Sequence, residues 1–492
     1  MTAAVSDLDL VWLFSFDLGG PCRPEAVARR LAQQGLALDM LRFDEKGLPS
    51  FASLTEKKPE DKATGTPDPL EAPRARMLEI MGSEDLGLFY EEYRRSHSYV
   101  RLRLVGFNAT FPALESRIPT PIHGEVYALI HQTGFATMSF WLPIRQSSLN
   151  LADLISLEQS REMMLDVAIW RGLAEHYAKV SVSMSKILKD RLDKSSPRVS
   201  VVTNVETLRN MYAFLIVTQG LIGEVSSIEE LERKLRYYPI SAYPVMMIRN
   251  IGGNNLEKFV NDHKFELHGI LTKEEHWDWV NGKCVDEALH DNLAWRPDWA
   301  VYINSGASLL MTSPSAIHRP LRALPRLQVT EPRIELQYRA MDLDVVNIVE
   351  MLQLQNIMLR TYDHVIGKGL SSSLSELTDT KKRIAQGLDE YHNIRIWPHK
   401  TAQKGVEFGQ QIMGIDRIYA VVEEKFKLLE GALRTQYDVR LNRLMVAFTV
   451  LFGASQVGQL VAVLGWSREL CLITFTLISV AGLLIAHLTK TL

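Results

Sequence analysis

The sequence predicts an α+β domain followed by a long stalk helix and two C-terminal transmembrane helices. Three observations carry this. Residues 1–333 hold short runs of alternating or β-branched residues separated by helical stretches. Residues 402–433 carry an apolar stripe at alternating spacings of four and three. Residues 444–464 and 470–488 contain no Asp, Glu, Lys or Arg.

The chain has 492 residues, enough for two to four domains at roughly 150 residues each. Hydrophobic content of 46% and charged content of 23% are ordinary for a globular chain, and a net charge of −3 gives no basic field for a nucleic-acid partner. Cys22, Cys284 and Cys471 are far apart and odd in number, so they form neither a disulfide framework nor a CxxC pair. The N-terminus has acidic residues and no basic leader before its apolar stretch, which argues against a signal peptide.

Taken in order, residues 1–52 read as a strand, LVWLFSFDL, then a helix, PEAVARRLAQQG, with Pro24 in its first turn. Residues 53–75 are rich in Lys, Glu, Asp, Thr and Pro and read as an exposed loop. Residues 76–333 form an α/β domain. Strands are expected at SYVRLRLVGFNATF and GEVYALIHQTGFATMSFWLPI, and helices at 157–192 and 227–236. A second block runs through AYPVMMIRNI, KFELHGILT and WAVYINSGASLLMTS. Residues 334–443 are helical, with a break at GKGLSSSLSEL, and end in the stalk.

From Ala402 no proline interrupts the chain until the first apolar run ends. Phe408, Ile412, Ile415, Tyr419, Val422, Phe426, Leu429 and Leu433 keep a heptad stripe. The reading is one continuous helix over 402–464, ~95 Å long at 1.5 Å per residue. Residues 444–464 are long enough to cross a ~30 Å hydrocarbon core, residues 465–469 make an outer turn, and residues 470–489 return. Arg434, Arg440, Arg443 and Lys490 place both termini on the cytosolic side of the inner membrane, with the chain multi-pass in the lipid bilayer.

The other face of this helix carries Asp438 and Asn442, then Met445, Thr449, Phe452, Gln456 and Gln459 inside the span. Polar groups at that depth face a bundle interior or water. A ring of such helices would line a pore, with Met445 and Phe452 as apolar constrictions. The alternative is a polar seam that joins helices by hydrogen bonds.

This arrangement resembles the CorA superfamily of divalent-cation channels. That family closes its first span with Gly-Met-Asn, and here the corresponding place is Gly465, Trp466 and Ser467. The resemblance implies a non-enzymatic homo-oligomer, a pentamer, that passes a divalent cation such as Mg²⁺ and is gated through its cytosolic domain. It also implies regulatory metal between subunits, for which Asp342 and Asp344 are the candidates. The replaced Met and Asn, and the unmatched N-terminal region, fit a second implication. CorA-like proteins also occur beside bacterial antiviral defence systems such as type III CRISPR, as membrane effectors gated by a nucleotide second messenger. A third reading is a non-conducting scaffold.

No P-loop, HExxH, GxSxG or zinc spacing occurs. His263, His268 and His276 do not have the spacing of a ligand set, Gly252–Asn255 reads as a tight turn, and Trp295 and Trp299 read as core or interface residues.

Overall fold

Strand β1 (Ala4–Asp17) reads AVSDLDLVWLFSFD and is apolar on both faces over its second half. Such a run belongs in the middle of a covered sheet. In the computed structural model β1 lies between β6 (Phe135–Asn150) and β9 (Tyr243–Arg249), antiparallel to both. The structure describes residues 4–18, 21–43, 49–54, 99–119, 121–159, 163–167, 199–203, 205–217, 242–249, 251, 255–294, 297–313, 331–367, 378, 400–465 and 467–488.

The remaining strands are β2 (Ala37–Phe43), β3 (Pro49–Ser53), β4 (Tyr99–Thr110), β5 (Ile122–His131), β7 (Met163–Val167), β8 (Val199–Thr203), β10 (Trp299–Ile303) and β11 (Ser308–Thr312). They form one 11-stranded sheet in the order β10-β11-β9-β1-β6-β5-β4-β2-β3, with β7 joining β4 to β8. The β11–β9 pair is parallel, and the other pairs are antiparallel.

One sheet face carries Leu8, Leu10, Trp12 and Phe14, and this face belongs to the main core. Helix α1 (Pro24–Gln33) adds Val27, Ala28 and Leu31 to that core, one stripe of its surface. Helices α2 (Leu151–Gln159) and α3 (Val205–Leu215) add Leu154, Ile155, Leu208 and Tyr212. Phe14, Phe140, Phe107 and Tyr212 meet edge to face there.

The other face is more polar. Ser15 and Thr137 hydrogen-bond across β1 and β6. Asp7 and Asp9 on β1 meet Arg145 on β6 and Arg249 on β9 at 2.6–3.4 Å, two carboxylates against two guanidiniums. Helix α7 (Glu331–Gly367) reaches this face. Its Glu350 pairs with Arg101 of β4, and its Tyr362 meets Phe135 edge to face. Helix α8 (Lys400–Ile412) packs on α7 through small residues. A Cβ on Gly409 would sit 2.2 Å from a Leu352 methyl, and buried Gln410 donates to Gln355 at 3.2 Å.

Between β9 and β10 lie α4 (Leu256–Asp262), α5 (Lys264–Thr272) and α6 (Gly282–Ala288). Asn255 and Asn281 cap α4 and α6 by accepting from the N–H of Lys258 and Lys283. Helices α9 (Ile415–Val463) and α10 (Arg468–Leu488) end the chain. The chain divides into two compact units, Met1–Tyr362 with Ile384–Tyr419, and Asp363–Arg383 with Ala420–Leu492.

Several expectations are corrected. The helix expected over 157–192 is α2, which ends at Gln159, and strand β7 follows at Met163. Residues 168–192, 227–236 and 55–75 lie outside the described residues, as does the GKGLSSSLSEL break. The continuous rod over 402–464 is instead two helices. Gly414 takes φ +68°, a left-handed conformation that glycine adopts without a Cβ penalty, and ends α8 before α9 begins.

The two transmembrane helices are also corrected, and with them the fold class, the membrane-channel reading and the inner-membrane location. Among the described residues no helix is long and apolar enough to cross a membrane. In α9, Asn442, Thr449, Gln456 and Gln459 recur through the expected span, and Arg468 and Glu469 open α10.

Candidate functional site: two exposed apolar helices and a buried carboxyl

The sequence-predicted residues fall into three groups. Asp438, Asn442, Met445, Thr449, Phe452, Gln456 and Gln459 all lie on α9, and their side chains are exposed. Gly465, at φ +79°, and exposed Ser467 lie in the link to α10, while Trp466 is outside the described residues. Asp342 and Asp344 are within α7, but their side chains are outside the described set. Among the described residues no group of three or more His, Cys, Asp and Glu is placed to hold a metal ion.

The lower part of α9 is anchored on one side. Ile415, Val422 and Phe426 of the heptad stripe are buried, and Lys425 bonds Asp363 at 2.6 Å. Beyond Leu428 the pattern changes. Leu444, Met445, Val446 and Phe448 are 57, 63, 50 and 58% exposed. At 100° per residue these side chains point in different directions around the helix, so α9 is apolar and uncovered on several sides. In α10, Leu470, Leu472, Ile473, Phe475, Leu477 and Val480 are exposed too. A helix that is hydrophobic all round is normally a buried one.

Between Leu441 and Val480 sixteen described large apolar side chains are exposed. At roughly 150–200 Å² for each such residue, their open surface is on the order of 1,500 Å². A stable interface needs only about 800 Å² per partner.

The polar members of the stripe differ among themselves. Thr449 donates its hydroxyl hydrogen to the Met445 carbonyl at 2.8 Å, and Thr474 and Thr476 bond back to Leu470 and Leu472 in the same way. These hydroxyls are served by their own helix. The amides of Asn442, Gln456 and Gln459 are larger, carry both donors and acceptors, and stand exposed among apolar neighbours.

A second feature lies in the sheet unit. Glu158, in the last turn of α2, is 3% exposed, and neither carboxyl oxygen has a hydrogen-bond partner among the described residues. Its backbone carbonyl accepts from Trp12 Nε1 at 3.3 Å. Burial raises its pKa well above the ordinary carboxyl range, opposed in part by the charge of Lys273. Lys273 caps α5 in a left-handed conformation, φ +59°, and its Nζ donates to the Ala242 carbonyl. Burial lowers its pKa, opposed by the charge of Glu158. Tyr243 is buried nearby at the start of β9. Its hydroxyl lies 2.5 Å from the Asn304 carbonyl and 2.8 Å from Ser308 Oγ, and burial raises its pKa.

Sequence reasoning missed this pair, although one signal was present. Leu151, Leu154 and Ile155 mark the buried stripe of α2, and Glu158 continues it at i+7, i+4 and i+3. A charged residue on an apolar stripe is the departure that marks a buried polar group. The histidines remain scattered. His268 is buried and its pKa is lowered by burial, His263 lies near Glu266, and His276 stacks on Trp279. Trp299 is buried, as expected.

No family model, curated protein or solved structure matches this chain.

Proposed function

We propose that this protein is a self-assembling interaction protein, and that α9 and α10 bind the same helices of further copies. The observation that carries the reading is the uncovered apolar surface of α9 and α10, on several sides of α9. Together that surface is about twice what one partner in a standard interface contributes. A second copy fits better than a charged partner surface, because residues 444–464 carry no charge to answer one. A copy also brings its own Asn442, Gln456 and Gln459. Amides that meet amides across an apolar seam satisfy one another and fix register and copy number.

The sheet unit needs no such partner to close its core. Its central strands have apolar residues buried on one face and a balanced ion network on the other. It is the load that assembly brings together.

The test is the mass of the full chain by light scattering after size exclusion, in buffer and again in mild detergent. A mass of two or more chains that falls with Leu460→Glu is expected. A single-chain mass in both media overturns the proposal.

A further inference from the structure

Trp279 lies in the turn between α5 and α6 and is 82% exposed, more than any other large apolar side chain described in the sheet unit. Roughly 200 Å² of it stands in water. The turn that presents it is held from below. Trp277 packs against the main core, and a Cβ on Gly269 of α5 would sit 2.7 Å from the Trp277 Cβ. The Trp279 amide donates to the His276 carbonyl at 3.0 Å, and the His276 amide donates to the Glu274 carboxylate at 3.0 Å. The His276 ring stacks on the indole, with centroids 5.4 Å apart and planes at 23°. Trp277 is therefore the inward anchor of a fixed turn, and Trp279 is its outward tip. Among the described residues no other ring or polar group engages the indole.

A single exposed apolar residue needs no partner. The charge around this one points to a partner. Residues 273–291 carry Glu274, Glu275, Asp278, Asp286, Glu287 and Asp291 against Lys273 and Lys283, a net of −4. The whole chain is at −3, so the rest of it sums to +1, and the negative charge of the protein is concentrated in this one segment. Lys264 and Lys283 answer Asp286 and Glu287. Glu274, Glu275 and Asp278 are the carboxylates next to the indole in the chain, and all three are exposed.

We propose that this turn is a docking site for an arginine-bearing segment of a separate protein, with the guanidinium laid on the Trp279 ring. An indole is the strongest cation-binding ring among the side chains. A guanidinium fits it better than an ammonium, because it is planar, stacks on aromatic faces and is more weakly hydrated. The neighbouring carboxylates draw the cation in and set its orientation. A nucleic acid brings negative charge of its own and is repelled here. The anchored turn keeps the cost of ordering the site low, since the ring is already in place before the partner arrives. The site is independent of self-assembly through α9 and α10.

The test is fluorescence anisotropy of a labelled tri-arginine peptide titrated with the full chain, with a tri-lysine peptide of the same design as the comparison. The native chain should bind the arginine peptide more tightly than the lysine peptide. Trp279→Ala should weaken arginine binding at least about 5-fold and bring the two peptides together, the scale of a lost cation–π contact. Trp279→Phe keeps a ring and should recover part of the loss. Asp278→Asn should weaken both peptides alike, by about 2-fold to 5-fold at low salt. An unchanged arginine affinity in Trp279→Ala overturns the proposal. So does equal affinity of the native chain for the two peptides, because charge attraction alone does not tell them apart. Failure of the native chain to bind the arginine peptide below about 1 mM overturns it as well.

Discussion

Phe452 gives the most direct measure of the proposed interface on α9. It is 68% exposed on α9, with no charged residue within eight positions on either side. At roughly 200 Å² for a phenylalanine, ~135 Å² is open to water. Covering that area is worth about 3 kcal/mol at ~25 cal/mol per Å². Truncation to alanine removes about two-thirds of it, ~2 kcal/mol per copy, and two copies lose ~4 kcal/mol in a symmetric pair. That is on the order of a 1,000-fold rise in Kd. The assay is sedimentation equilibrium of full-length Phe452→Ala against the native chain. Trp279→Ala is the control, since Trp279 is 82% exposed but belongs to the sheet unit. If both substitutions left association unchanged, or both weakened it equally, α9 would not be the interface.

Four further outcomes are expected. Glu350→Ala takes the carboxylate from mostly buried Arg101 and should cost ~2–4 kcal/mol in denaturant unfolding, whereas the double change Arg101→Met, Glu350→Met should fall within about 1 kcal/mol of native; equal losses in the two would mean that the charge is not the cause. Gly409→Val places a branched side chain where Leu352 already stands and should cost ~1–3 kcal/mol, so an unchanged melting temperature would show that α7 and α8 separate freely. Glu158 has a raised pKa, so its carboxyl favours folding below the unfolded carboxyl range, and that contribution is lost as pH rises through its folded pKa. In a Lys273→Met background, which removes the opposite trend of the amine, Glu158→Gln should flatten this decline in unfolding midpoints between about pH 4 and about pH 9; parallel curves would contradict the assignment. Thr449→Val should leave the oligomer distribution in native mass spectrometry unchanged, because its hydroxyl bonds its own helix, while Gln456→Leu should broaden it; identical spectra for both would show that the stripe has no role in register.

The sheet was legible where a strand has a one-sided or doubly apolar pattern. The LVWLFSFDL run became the buried central strand, and PEAVARRLAQQG became α1 with Pro24 at its start. The strand order was not legible. The partners of β1 are β6 and β9, which lie far away in the sequence, and no local pattern encodes that pairing. The break at Gly414 was misread because glycine is also tolerated inside helices, and only the positive φ shows that this one ends α8. The buried acid was legible as a departure from the stripe of α2, but the influence of the Lys273 charge on it was not, since Lys273 caps α5, far along the sequence.

A heptad stripe says that a helix is covered, but not by what. On α9 the same spacing serves two situations. At Ile415, Val422 and Phe426 the cover is this chain itself, and these side chains are buried. From Leu441 onward the side chains are equally apolar, and nothing among the described residues covers them. Exposure of single apolar residues needs no explanation, but an open apolar surface above ~1,000 Å² exceeds what single chains normally leave in water. The two C-terminal helices and the sheet unit therefore differ in kind. The sheet unit closes its core within one chain, whereas on α9 and α10 no described residue supplies the cover. Because the open surface lies on several sides of one helix, a single flat partner covers only part of it. Several copies, arranged with their α9 helices side by side, cover more, and that geometry also brings Asn442, Gln456 and Gln459 into reach of their own counterparts.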